Sequence, residues 1–123
     1  DWKSLVRATV ESVAYQSYDL FYSMNKDGLK PKIIKIDGGM VANNWFSQFL
    51  SDVINLKVIR PKNLETTALG AAFLAGYQIG EFKSLNQIKN ISKKGKVFSP
   101  KMNKSFRNHI LQGWQQAIKK TLA

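Results

Sequence analysis

The string KIDGGMVANNW, residues 35–45, sets an aspartate and two adjacent glycines after a short apolar run, and two asparagines ahead of the next one. Glycine carries no Cβ, so the backbone at Gly38 and Gly39 can come within hydrogen-bonding range of a phosphate or a ribose. Where a strand leads into a helix, the first helical N–H groups and their partial positive charge suit the same phosphate. An asparagine at the helix start, Asn43 or Asn44, can cap the helix or turn its amide toward a base or a ribose hydroxyl. The competing reading is a plain strand-to-helix turn, which spacing alone favours. Neither G-x-G-x-x-G nor G-x-x-x-x-G-K-[ST] occurs, so a nucleotide bound here would be held by some other fold.

Two titratable groups also deserve weighing. Asp37 has the chemistry of a general base or a magnesium ligand, but no second acidic residue lies nearby in sequence to share a metal. The expectation is that it orders the turn through local hydrogen bonds. His109, the single histidine, falls at a polar-flanked position of a helical pattern and reads as exposed. No nucleophile–base pair is visible, so no residue is singled out as catalytic and none as a metal ligand.

These groups need elements to position them. Residues 4–24 repeat apolar side chains at three- and four-residue steps and predict an amphipathic helix. Lys30-Pro31 breaks the chain, and Ile33, Ile34 and Ile36 form a short β-branched run of the kind found in buried strands. Phe46, Phe49, Leu50 and Val53 give a second helix with one apolar stripe, ended by Asn55. LKVIRP, residues 56–61, reads as a second strand stopped by proline. ETTALGAAFLAGYQIG, residues 65–80, reads as a third helix with Thr66 or Thr67 as cap, Gly80 as stop, and a small-residue face for packing on a sheet.

A strand, a helix and a second strand in this order imply a parallel βαβ unit, because the helix makes the crossover. Residues 33–80 thus form a strand-helix-strand-helix core, and residues 81–103 a basic loop region with a helical turn near 85–91. Residues 104–121 form a closing helix, with Phe106, Ile110, Trp114, Ala117, Ile118 and Leu122 on one face. Two parallel strands leave both edges unpaired, and parallel sheets normally lie covered inside larger α/β domains. The fold class is therefore α/β with a sheet incomplete in this chain. The abrupt opening on Asp1 fits a piece of something longer.

Length, hydrophobic content and charge fit one globular domain: 123 residues, 44% hydrophobic, net charge +11. The sequence has no cysteine, which excludes disulfides and thiolate metal sites and fits a reducing, cytoplasmic setting. No run approaches the ~20 apolar residues of a membrane span. From Lys83 to the end there are ten Lys or Arg and no Asp or Glu, which raises the alternative of a basic module that grips a polyanion. The lysines are scattered and lack an arginine-and-aromatic face for reading bases, so a solvated surface is preferred and no specific nucleic acid is expected.

IDGGMVANNWFSQFLSDVINLKVIRPKNLETTALGAAFLAG, residues 36–76, resembles the C-terminal nucleotide-binding domain of the glycerol kinases. That branch of the sugar-kinase (FGGY) family shares the actin and Hsp70 ATPase (ribonuclease H-like) fold. RATVESVAYQSYDL (7–20) looks like the helix before the family's strand, and FRNHILQGWQQAIKK (106–120) like its closing helix, so the resemblance covers nearly the whole chain. It implies an enzyme that transfers the γ-phosphoryl of ATP, with Mg2+, to glycerol, and a homo-oligomer. It also implies that Gly39 and Asn43 contact the adenine nucleotide, with Gly38 in the same turn.

The family's catalytic aspartate and glycerol-binding residues lie upstream of the matched segments, so this stretch alone is expected to be inactive. Kinases of another polyol or sugar in the same family share these motifs and stay open. The likeness weakens over residues 83–105, and the regulatory phosphotransferase protein that docks there in some relatives is not carried over.

Overall fold

A computed structural model describes residues 1–63, 65–92 and 95–122. The chain runs α1 (Trp2–Lys26), β1 (Ile33–Lys35), a single 3-10 turn (Gly39–Ala42), α2 (Asn44–Ile54), β2 (Lys57–Pro61), α3 (Thr66–Gln78), α4 (Leu85–Ser92), β3 (Gly95–Phe98) and α5 (Lys104–Leu122). β1 pairs parallel to β2, as the crossover helix requires, with Ile33 opposite Lys57 and Lys35 opposite Ile59.

The sheet has a third strand that the sequence does not announce. β3 runs antiparallel along the other edge of β2, with Val58 opposite Phe98 and Pro61 opposite Gly95. It lies within the stretch expected to be a basic loop. Only Val97 and Phe98 give it strand character, and Lys96 reads as loop in a lysine-rich context; charged, short strands are how sheets end. Gly95 is required there, since a Cβ would sit 2.5 Å from the Arg60 carbonyl oxygen of the neighbouring strand. α4 occupies the place of the expected helical turn.

α2 carries the core. Phe46, Leu50, Val53 and Ile54 are buried with Ala14 of α1, Val58 of β2 and Phe98 of β3. The expected single stripe is too narrow for this helix, because Ser47, Ser51 and Asp52 are buried as well. Each has a hydrogen-bonding reason to be inside. Ser51 Oγ donates to the carbonyls of Leu56 (2.7 Å) and Phe98 (3.1 Å), stitching α2 to both strands at one end of the β2–β3 pair. Asp52 Oδ1 accepts from the Lys101 N–H (2.5 Å), the Met102 N–H (3.2 Å) and Gln48 Nε2 (3.1 Å), which fixes the approach to α5. Asn55 ends the helix in the left-handed region, φ 56°, a conformation asparagine tolerates.

Three expectations need correction. Ile33 of β1 is exposed because, like Val97 of β3, it lies on the sheet face turned away from the core, and only Ile34 and Ile36 turn toward it. α3 buries none of its residues, so its small face packs on no sheet among the described residues. Neither threonine caps α3: the N-cap is Glu65, without a side-chain bond, and Thr66 is already helical. Its other end behaves as read, with Gly80 at φ 82° and the Glu81 N–H bonded back to the Gly76 carbonyl at 2.9 Å.

α5 is turned slightly from the predicted face: Ile110, Trp114 and Ile118 are half-buried as read, but the ends of that face are not. Leu111 is its buried residue, while Phe106 and Leu122 are exposed. Polar contacts fix the rotation: Trp114 Nε1 donates to Asp19 Oδ2 at 2.7 Å, and Arg107 Nη1 donates to Asn55 Oδ1 at 2.9 Å. Tyr15 stacks on Trp114 with ring centroids 5.3 Å apart.

Candidate functional site

The glycine turn stands at the carboxyl end of β1, where open α/β sheets present their ligand crevices. Pairing with β2 persists to the last residue before it, as the Ile36 N–H donates to the Ile59 carbonyl at 3.0 Å. Asp37 then accepts a short hydrogen bond from the Thr66 hydroxyl. The link joins the β1 end to the first turn of α3, so Asp37 does order this junction, through a distant threonine and not through its own backbone.

Gly38 has φ 96° and ψ 171°, a region closed to residues with a side chain. Gly39 begins the 3-10 turn without a positive φ. A Cβ built on either glycine meets no atom within 4 Å, so neither is needed for packing, and the backbone faces open space. Gly38 is thus explained by conformation, whereas nothing among the described residues explains Gly39.

Asn43 is the N-cap of α2. Its Oδ1 accepts from the N–H of Trp45 at 2.8 Å and of Phe46 at 3.4 Å. With that oxygen committed, Nδ2 is the side-chain atom able to address a ligand, and it can only donate. Asn43 also lines a cavity of about 420 Å³ with Trp2, Lys3, Val6, Arg7, Val10 and Trp45. Gly38, Gly39 and Asn43 share one exposed turn, although only Asn43 of the three reaches this cavity.

What holds the turn is mostly outside the motif. The buried Val41 anchors it from below. Ser47 Oγ donates to the Val41 carbonyl at 2.9 Å. From β2, Arg60 Nη1 donates to the carbonyls of Val41 (2.7 Å) and Ala42 (2.8 Å), and Nη2 to Asn44 Oδ1 (3.0 Å). Lys96 Nζ of β3 donates to the same Asn44 oxygen at 3.1 Å. By sequence, Arg60 and Ser47 carry no assigned role here, and Thr66 is suggested only as a helix cap. The one signal was a charged residue inside the apolar run VIRP.

His109 lies away from the turn, in a second cavity of about 600 Å³ between α1 and α5 whose lining includes Glu11, Tyr15 and Trp114. Burial first, and then the charge of Glu11, push the Tyr15 phenol up to about 12. No group of three or more His, Cys, Asp or Glu that could hold a metal ion occurs among the described residues. The described residues include no helix long and apolar enough to cross a membrane. Among the described lysines beyond residue 83, Lys89 lies in α4, Lys96 in β3, Lys101 between β3 and α5, and Lys104 in α5, while Lys119 and Lys120 sit at the α5 C-terminus, where the helix dipole favours cations.

Residues 1–79 match the family model described as FGGY family of carbohydrate kinases, C-terminal domain. The sequence is 50% identical over 119 residues to a glycerol kinase of Gluconobacter oxydans, covering 96% of this chain and 23% of that protein. It is 45% identical over 120 residues to a glycerol kinase of Lachnoclostridium phytofermentans, covering 97% of this chain and 24% of that protein. The chain thus spans about a quarter of the length of the curated relatives it matches. Among solved structures it superposes on Plasmodium falciparum glycerol kinase with ADP at a TM-score of 0.85 and 36% identity, over 96% of this chain and 24% of that one. A ligand-bound xylulose kinase of Lactobacillus acidophilus, 24% identical with a TM-score of 0.77 over the same shares, has the same fold.

Proposed function

The chain belongs to the FGGY family of carbohydrate kinases, with an incomplete α/β sheet of the actin-like ATPase fold, and we propose that it supplies one wall of the adenine-nucleotide site of a glycerol kinase. The reaction is phosphoryl transfer from ATP to glycerol, giving glycerol 3-phosphate. One observation carries the reading. The open backbone at Gly39, which no packing within the chain requires, lies in a segment similar to a glycerol kinase solved with ADP.

The roles follow from the atoms available. Gly38 supplies the backbone reversal that turns Gly39 outward, and Gly39 lets the nucleotide approach without a Cβ in the way. Asn43, its oxygen held by the α2 cap, donates from Nδ2 to an acceptor on the base or ribose. When bound, ATP supplies the transferred phosphoryl group. Mg2+ would neutralise its charge; the described residues include no group of three or more His, Cys, Asp or Glu that could hold the ion. Catalysis of this kind depends on positioning and charge neutralisation around the transferred group, and these residues form only one side of such a site. The 123-residue chain alone is therefore expected to show no glycerol-dependent ATP turnover.

The test is made on the polypeptide as its gene encodes it. ATP and glycerol should give glycerol 3-phosphate, and ADP should shift the Gly39 and Asn43 amide resonances. Unshifted amides at saturating ADP would remove the site assignment, and preference for another polyol or a sugar would replace the substrate. The family leaves the polyanion-binding alternative without support. The reading also includes a cytoplasmic setting and a homo-oligomer, the latter checked by sedimentation velocity.

A further inference from the structure

Arg60 stands out for three hydrogen bonds from its guanidinium to Val41, Ala42 and Asn44. It occupies the carboxyl end of β2, directly opposite Lys96 of β3. Like charges facing each other across a strand pair are unfavourable, and among the described residues neither makes a salt bridge. Both lie over the Phe98 ring instead, the guanidinium carbon 5.5 Å and the ammonium 5.3 Å from its centroid. Both also donate to Asn44 Oδ1. This arrangement repels itself and lies beside the glycine turn.

The donor geometry accounts for it. The carbonyls of Val41 and Ala42 precede the first residue of α2, so they have no place in its ladder of helical hydrogen bonds. One planar guanidinium reaches both from Nη1 and reaches the first residue of α2 from Nη2. A lysine, with one nitrogen, cannot reproduce that fork. The Val41 carbonyl takes a second bond from Ser47, so its two lone pairs are both engaged. The turn is thereby held from β2 and from α2 together, on the side of Val41 and Ala42, while Gly38 and Gly39 remain exposed.

We infer that Arg60 is a positioning residue for nucleotide binding, whose guanidinium fixes the Val41 and Ala42 carbonyls and so holds the Gly38, Gly39 and Asn43 turn in its ligand-ready shape. The inference rests on the reading of this turn as a nucleotide wall. An unfixed turn samples other conformations, and apparent affinity falls in proportion to the fraction that remains competent. Arg60 touches no reacting atom in this account, so the rate of phosphoryl transfer at saturating ATP should hold.

The test uses the polypeptide as encoded, with Arg60→Met, Arg60→Lys and Asn44→Ala compared with wild type. ADP affinity is measured by calorimetry, KM for ATP and for glycerol by initial rates, and melting temperature for each variant. Arg60→Met should weaken ADP binding on the order of tenfold and raise KM for ATP equally, with kcat and KM for glycerol unchanged. Arg60→Lys should fall between it and wild type. Asn44→Ala, which spares both carbonyl bonds, should change affinity by less than about threefold. ADP affinity of Arg60→Met within twofold of wild type overturns the inference, as does a fall in kcat with KM for ATP unchanged. If Arg60→Met does not fold, wild-type affinity in Arg60→Lys overturns it equally. Should ADP leave the wild-type Gly39 and Asn43 amides unshifted, the nucleotide reading itself fails and takes this inference with it. Shifted amides with an indifferent Arg60 sink the clamp alone.

Discussion

Alanine substitutions at the two adjacent glycines should have opposite effects on stability, and only one of them should act through the ligand. Gly38 sits at φ 96° and ψ 171°, where a side chain costs about 1–3 kcal/mol of backbone strain. Gly39 has no positive φ, so alanine there should be neutral or stabilising by about 0.4–1 kcal/mol through the unfolded chain. The two variants should therefore differ by roughly 1–4 kcal/mol in unfolding free energy. With about 3–5 °C per kcal/mol for a domain of this size, Gly38→Ala should melt roughly 3–15 °C below wild type.

Binding should discriminate between them differently. A methyl on Gly39 projects into space that no protein atom occupies within 4 Å, the space the proposed nucleotide would fill. Overlap there should weaken ADP binding by tenfold or more, which is about 1.4 kcal/mol. The assay is ADP calorimetry alongside thermal melts of both variants of the encoded protein. A Gly39→Ala protein that binds ADP like wild type refutes the close-approach argument. A Gly38→Ala protein as stable as wild type refutes the conformational one.

Two further predictions concern the frame around the site. Asp52→Ala removes one buried acceptor that serves two backbone N–H groups and Gln48, and should cost about 2–4 kcal/mol, since hydrogen bonds to a charged group contribute ~1.5–3 kcal/mol each and are not additive; an unchanged melting temperature would contradict this. The Tyr15 phenol, raised above its ordinary value of 10.0 to about 12, stays neutral longer in the fold than in the unfolded chain. Its contribution to stability is therefore intact below pH 10 and lost as pH climbs toward 12. Titration followed by phenolate absorbance should show this late component, and Glu11→Gln should lower it only in part, because burial is the larger cause; a Tyr15 midpoint at the ordinary value would refute the assignment.

The elements around the site were legible because their signals are local. The apolar period that predicted a helix over residues 4–24 is written within that helix, and α1 runs from Trp2 to Lys26. The parallel pairing of β1 with β2 follows from a crossover helix lying between two short strands. The glycine turn, too, was legible as a turn, since Gly38 adopts a backbone conformation available to little else. Its placement beside Asn43 needs only a few residues of chain.

What stayed hidden depends on residues far apart in sequence. β3 joins β2 through pairings that the composition of GKVF does not advertise. Asp52 meets the Lys101 N–H across 49 positions, and Ser51 meets the Phe98 carbonyl across 47, so buried polar residues of α2 read as its solvent face. The rotation of α5 is fixed by Trp114 on Asp19 and Arg107 on Asn55, polar contacts to which hydrophobic period is blind. By itself the sequence determined where the backbone must bend and which residues the bend exposes. Only the tertiary structure decided that a strand arginine would close over the back of that bend, because a hydrogen-bond donor has no sequence period and finds its acceptors only after the sheet has formed.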